Sequence, residues 1–329
     1  MTETPSDQHP DQTAARSAAT SRPDPLADSG LVIVDKPAGL TSHDVVGKLR
    51  RVFRTRRVGH SGTLDPMATG VLVVGVNRGT RFLPHVDADP KAYLATGRRG
   101  AATVTDDAEG EELSRADASA VTDAAIAEGV AALTGDIMQR PASVSAVKID
   151  GVRAHERMRR GEKVVLPERP VTVSRFDVLD IRRDGPWLDV DVDVDCSAGT
   201  FIRSLARDLG AGLGVGGHLT ALRRTAAGPF AIADAVPLRE LSDAGDAARE
   251  SDSAPPAPSM TLDEACVRCF PVREVTDEEG AALAQGKWRE PVGMKGVHAA
   301  RTPDGRVTAL ITEEGKRAKT VFVVRPSTL

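Results

Sequence analysis

A chain of 329 residues with 40 % hydrophobic and 27 % charged side chains is long enough for two domains and has the composition of a folded protein. No apolar run is long enough to cross a bilayer, and the polar, acidic N-terminus does not read as a secretory signal. Three cysteines are too few for a disulfide framework and fit a reducing cytoplasm, while a net charge of −4 argues at first sight against a nucleic-acid partner. That average hides an asymmetry, because basic side chains clearly outnumber acidic ones from Lys36 to His60.

Residues 1–29, rich in Pro, Ser, Thr and Asp, lack the apolar surface to offset ordering entropy and read as a disordered tail. Leu31–Val34 reads as a short buried strand, and Thr41 or Ser42 as the cap of a helix through Val45, Val46 and Leu49. Gly59–Gly70 reads as a loop, followed by strand Val71–Val76, apolar throughout and so central in a sheet. Further on come strand Ala92–Gly97, an Ala-rich helix over Val121–Leu133, and a hairpin of Val171–Ile181 with Leu188–Cys196. A helix over Thr200–Ala211 and a strand near His218–Ala226 follow. Residues 30–241 thus form one large unit, Ser242–Ser259 a disordered linker, and residues 260–329 a small module with strands at Val307–Thr312 and Thr320–Val324. Helices interspersed irregularly among strands favour an α+β fold over a doubly wound one.

Several motifs carry little. Gly212, Gly214 and Gly217 satisfy G-x-G-x-x-G, but they follow a helix and precede a strand, the reverse of a dinucleotide fingerprint. Cys266 and Cys269 make half a zinc site. Asp189, Asp191, Asp193 and Asp195 alternate with valines; carboxylates along one strand face line up rather than converge, so a solvated acidic face is favoured over a metal site. Gly59-His60-Ser61-Gly62 approaches a nucleophile elbow, with the second Gly one position early. The informative loop carries Asp65 between Leu64, Pro66 and Met67, apolar neighbours that would exclude water from a nucleophilic carboxylate; alone, an Asp-Pro in a Gly-rich loop also reads as a turn.

Gly59–Leu72 (GHSGTLDPMATGVL) resembles the G-H-[ST]-G-T-L-D-P-x-A-[ST]-G-V-L signature of the bacterial TruB family of tRNA pseudouridine synthases. Asp35-Lys36-Pro37-Ala38-Gly39-Leu40-Thr41-Ser42 is similar to that family's [DN]-K-P-x-G-x-[ST]-S, and Lys91-Ala92-Tyr93 to its K-x-Y. Gly199-Thr200-Phe201-Ile202-Arg203 is similar to its G-T-[YF]-I-R, and Leu222-Arg223-Arg224 to its L-R-R. The resemblance spans about residues 31–230 and implies a mixed, mainly antiparallel sheet with flanking helices, followed by a small β-rich, PUA-like RNA-binding module. It also implies a cytoplasmic, monomeric enzyme that needs neither cofactor nor metal. Its substrate would be a uridine in the T-arm of tRNA (position 55), flipped out of the RNA and isomerised to pseudouridine.

By the same resemblance Asp65 is the nucleophile, Tyr93 packs on the target base and assists proton transfer, and Arg203 pairs with the aspartate. His60, Leu222, Lys36, Gly62, Thr63, Leu64 and Arg223 are the implied substrate contacts, and the basic stretch Lys48–Arg57 with Arg98 and Arg99 would meet phosphates. Two positions depart from the family pattern: His155 stands where a tyrosine is common, and Phe201 keeps a ring without its hydroxyl. The competing reading is a non-catalytic factor that folds the same RNA arm.

Overall fold

The computed structural model describes residues 24–87, 90–142, 148–149, 152–153 and 166–328, so His155 lies outside the described residues. Its centre is an 11-stranded sheet. The main strands are β1 (Gly30–Lys36), β2 (Val58–Ser61), β3 (Thr69–Val76), β4 (Lys91–Arg99), β5 (Gly135–Gln139), β6 (Arg169–Asp184), β7 (Trp187–Cys196) and β8 (Gly217–Ala227). Their spatial order is β1-β3-β8-β4-β7-β6-β5, with β2 beside β3. The β3–β8 junction is parallel, while β1–β3, β8–β4, β4–β7, β7–β6 and β6–β5 are antiparallel. The fold is α+β with a mainly antiparallel mixed sheet.

Helices α1 (Ser42–Val52), α2 (Asp123–Ala132) and α3 (Ile202–Gly212) cover one face of the sheet. Helix α1 starts where the sequence offers a capping box: Thr41 accepts from the Asp44 amide while Asp44 accepts from the Thr41 amide. Its Val45, Val46, Leu49 and Val52 turn inward at helical spacing. Segment Gly59–Gly70 is only partly a loop, because Val58–Ser61 pairs with Ser61 opposite Val73 and Val58 opposite Val76.

Strands β1 and β3 are apolar on both faces for a structural reason. Val32, Val34, Leu72 and Val74 point into the helix-covered core, whereas Leu31, Ile33, Val71 and Val73 point into a second core shared with the C-terminal region. That region carries helices α5 (Leu262–Cys269) and α6 (Asp277–Ala284). Its four-stranded sheet is built from β9 (Val272–Glu274), β10 (Val297–Arg301), β11 (Val307–Glu314) and β12 (Arg317–Val323), in that order. Leu262, Ala265, Leu310 and Phe322 pack against Ile33, Val71 and Phe82, so the module shares a core with the large sheet.

Two expectations from composition are corrected. Ser242–Glu250 is the greater part of helix α4 (Leu238–Glu250), which packs Gly245 against Val52 of α1. That contact and the Arg54 bonds to the Ala248 and Ser253 carbonyls explain why so polar a stretch is ordered. Within the expected N-terminal tail, Leu26 is buried and Asp24 receives two bonds from Arg325 at 2.7 and 2.9 Å. The acidic strand β7 buries Val190, Val192 and Val194 and presents its carboxylates to arginines: Arg98 meets Asp189, Arg182 meets Asp191, and Arg175 meets Asp193 and Asp195. Arg99 is 2 % exposed, which removes it from the expected phosphate contacts, whereas Arg98 pairs with Asp189 and keeps 39 % of its side chain open. Among the described residues no helix is long and apolar enough to cross a membrane.

Candidate active site

Asp65 sits in the connection between β2 and β3, and its backbone is gripped on both sides. The Ser42 hydroxyl, at the start of α1, accepts from the Leu64 amide at 2.9 Å and donates to the Leu64 carbonyl at 3.1 Å. On the other side the Pro66 carbonyl accepts from the Gly39 amide at 2.8 Å and from Lys36 Nζ at 3.2 Å. Lys36 also donates to the Pro37 and Leu40 carbonyls at 2.9 and 2.6 Å. Buried completely, its ammonium is pushed down to about 8 by desolvation, against the pull of the Asp65 carboxylate. Lys36 therefore ties the opening motif to the Asp65 loop from below and does not line the cavity described next.

A cavity of about 360 Å³ opens above this loop. At roughly 30 Å³ per water it has room for about a dozen waters, enough for a nucleoside. Gly62, Thr63, Leu64 and Asp65 form one side, Tyr93 and Leu222 come from β4 and β8, and Phe201 and Arg203 come from the start of α3. Asp65, Tyr93 and Arg203, far apart in the chain, share this one space.

Arg203 is 4 % exposed and meets Asp65 at two points, with Nε 2.9 Å from Oδ2 and Nη2 donating to Oδ1 at 3.1 Å. Its remaining terminal nitrogen donates to the Thr105 carbonyl at 2.7 Å and lies 3.4 Å from the buried carboxylate of Asp107. The arginine is thus pinned between two acids and aimed at one of them. Asp65 keeps 33 % of its side-chain surface open, yet lies deep enough for desolvation to dominate. Burial raises its carboxyl above the ordinary carboxylate range, Arg203 opposes that rise, and Asp107 adds to it.

Tyr93, the sole tyrosine of the chain, is held on β4 opposite Val194 and Arg224. Burial raises its phenol above the usual range, so it carries its proton at neutral pH, and the neighbouring Arg224 guanidinium opposes that rise. Arg224, 1 % exposed, donates from Nε to the Val71 carbonyl at 2.7 Å and from Nη2 to the Gly62 carbonyl at 2.9 Å. It joins the tyrosine to the Asp65 loop.

Of the substrate contacts expected from the motifs, Gly62, Thr63, Leu64 and Leu222 line the cavity, whereas Lys36, Arg223 and His60 do not. Successive side chains of a strand face opposite ways, so Leu222 and Arg224 reach the cavity while Arg223 turns away to Asp35, with contacts at 2.8 and 3.1 Å. His60 is half-buried on β2 opposite Val74. Arg224 and Ser42 stand in the motifs but were given no site role from the sequence, and Asp107 and the cavity-lining Arg169 were not named at all. Alternation along β8 is the one signal that would have exposed Arg224; Asp107 lies in an unremarkable acidic turn.

Known proteins match this chain over most of its length. The description "TruB family pseudouridylate synthase (N terminal domain)" matches residues 50–202. Two C-terminal descriptions follow: the tRNA pseudouridylate synthase B C-terminal domain over 203–265, and the C terminus of tRNA pseudouridine synthase II over 270–325. The tRNA pseudouridine synthase B of Corynebacterium aurimucosum is 66 % identical over 306 residues, 93 % of this chain and 99 % of that protein. The protein of that name from Rhodococcus jostii is 54 % identical, over 92 % of this chain and 96 % of its own. Among solved structures, a Cbf5-Nop10-Gar1 complex contains a chain that superposes with a TM-score of 0.68 at 25 % identity, covering 92 % of this chain and 87 % of that one. The archaeal box H/ACA sRNP Nop10-Cbf5 complex gives a TM-score of 0.66 at 25 % identity, again over 92 % of this chain and 87 % of that one. Five motifs in order, the cavity that four of them line and these matches together assign the chain to the TruB family of pseudouridylate synthases.

Proposed function

We propose that this chain isomerises a uridine in the T-arm of tRNA to pseudouridine, with Asp65 as the nucleophile acting on a base turned out of the RNA. The observation that carries the reading is the two-point contact of Arg203 on Asp65 at the wall of a cavity that Tyr93 and Leu222 also line.

The reaction breaks the N1–C1′ bond, turns the base, and closes a C5–C1′ bond. The C5 proton leaves and N1 ends protonated, so atoms and electrons balance within the nucleotide. The carboxylate adds to an electrophilic carbon of that nucleotide, the ribose C1′ or the uracil C6, and is expelled once the new bond is made. Partial desolvation makes Asp65 a stronger nucleophile than a hydrated carboxylate, and Arg203 favours its ionised form and directs its oxygens. The Tyr93 ring offers a face for the base, and its hydroxyl, protonated at rest, accepts the C5 proton on oxygen only as it passes its own proton on towards water, so it serves as a relay rather than a free base. Extruding the base costs a few kcal/mol, which contacts with Leu222, Tyr93 and the Gly62–Leu64 backbone offset.

The test is to incubate unmodified tRNA with wild type and Asp65→Asn, map pseudouridine, and measure tRNA binding in parallel. Lost product with retained binding is expected. Modification by Asp65→Asn at near wild-type rate would remove Asp65 from its role; binding without product by the wild type would favour the RNA-folding reading.

A further inference from the structure

We propose that Gln139, which lies outside the cavity, is a positioning residue that sets the reach of Arg203 onto Asp65; this rests on the roles proposed above for those two residues. Gln139 ends β5 and is fully buried. Its Oε1 accepts from the Phe201 amide at 2.8 Å, and its Nε2 donates to the Phe201 carbonyl at 3.1 Å. A side-chain amide is the group that can meet the N–H and C=O of one residue at once.

Phe201 is the N-cap of α3, and its own side chain supplies no capping bond. The helix start that carries Arg203 therefore takes its backbone anchor from a distant strand rather than from the usual local cap. Beyond Arg203 the stitching continues, since Arg207 Nη2 donates to the Arg140 carbonyl at 2.7 Å. Gln139 and Arg140 thus hold α3 to the end of β5 on both sides of Arg203.

The guanidinium has tethers of its own, the Thr105 carbonyl and Asp107. Those tethers fix where the head is pulled when the helix start loosens: towards Asp107 and away from Asp65. A hydrogen bond at 3.1 Å beside an ion-pair contact at 2.9 Å has little slack before it weakens, so a shift of about 1 Å in the backbone of α3 separates the pair.

Gln139→Leu keeps the bulk and removes both bonds to Phe201; Gln139→Met does the same with an unbranched side chain. Each is assayed in the full chain for single-turnover pseudouridine formation at saturating unmodified tRNA, for tRNA affinity, for melting temperature, and for rate against pH. The expected result is a rate lowered by about 10²-fold with affinity changed less than about twofold. The acid limb of the rate profile moves to higher pH, because Arg203 no longer holds the Asp65 carboxyl down. A residue that only stabilises the fold would lower the melting temperature and leave that limb in place. A folded variant with a rate within about threefold of wild type, or with an unmoved acid limb, overturns the proposal. Failure of both variants to fold also overturns it, since Gln139 would then serve folding alone. Asp65→Asn is run alongside: if it stays active the underlying reading fails, whereas an inactive Asp65→Asn beside an unaffected Gln139→Leu removes only the positioning role.

Discussion

Replacing Arg203 by lysine keeps the positive charge and removes the fork. The guanidinium reaches both oxygens of Asp65 at 2.9 and 3.1 Å, the Thr105 carbonyl at 2.7 Å and Asp107 at 3.4 Å. A single ammonium on a flexible stem serves one carboxylate well and leaves the other underpaired. If one charge-assisted bond to Asp65 is lost, about 1.5–3 kcal/mol of orientation and charge stabilisation goes with it. At about 1.4 kcal/mol per decade this lowers the chemical rate by roughly 10- to 150-fold. Global stability falls by less than the roughly 3–5 kcal/mol expected for breaking a buried pair outright, because the charge remains. The assay is single-turnover pseudouridine formation at saturating tRNA across the acidic pH range. Burial holds the Asp65 carboxyl above its ordinary range and Arg203 pulls it down, so the lysine variant moves the acid limb to higher pH. A rate within about threefold of wild type, or an acid limb that moves to lower pH, would refute the reasoning.

Three further outcomes follow from the same geometry. Tyr93→Phe keeps the ring and loses the hydroxyl that Arg224 contacts; tRNA affinity should stay within about twofold while the saturated rate falls by about 10²–10⁴-fold, as single-turnover assays would measure. Lys36→Met removes the ammonium that serves three carbonyls and destabilises the fold in urea titrations. Because folding depresses the Lys36 pKa to about 8 from 10.5, the unfolded chain binds the extra proton between those values; wild-type stability gains with pH there, and the deficit of Lys36→Met widens across that window. Gly70→Ala places a Cβ 2.2 Å from the Arg224 carbonyl at a φ of +98°, and should cost about 2–4 kcal/mol of unfolding free energy by strain and by prising β3 from β8. An unchanged denaturation midpoint would contradict the close parallel junction seen there.

Much of the fold was legible because local chemistry states it directly. Thr41 or Ser42 before Val45, Val46 and Leu49 announces a helix start, Val190 to Val194 alternate with acids as a half-buried strand must, and Val71–Val76 shows the unbroken apolar run of a strand covered on both faces. The failures are equally physical. Ser242–Glu250 has the composition of a linker, yet its order comes from Gly245 lying on Val52, a contact between residues almost two hundred positions apart that no local pattern encodes. Arg223 and Arg224 are identical letters in one motif, and only the facing of the strand sends one to Asp35 and the other beneath the cavity.

The amino-acid order alone determined which groups are available: an acid between apolar neighbours in a glycine-hinged loop, one tyrosine, and an arginine opening a helix. Those are matters of local spacing and side-chain chemistry. The resemblance implied that Arg203 pairs with Asp65; only the tertiary structure decided that the pair meets at two points across 138 positions, that Asp107 pins the far side of that arginine, and that Lys36 supports the loop instead of facing the cavity. Long-range pairing depends on strand order and on which face each strand turns inward, and these follow from burying the whole set of apolar surfaces at once rather than from any one segment.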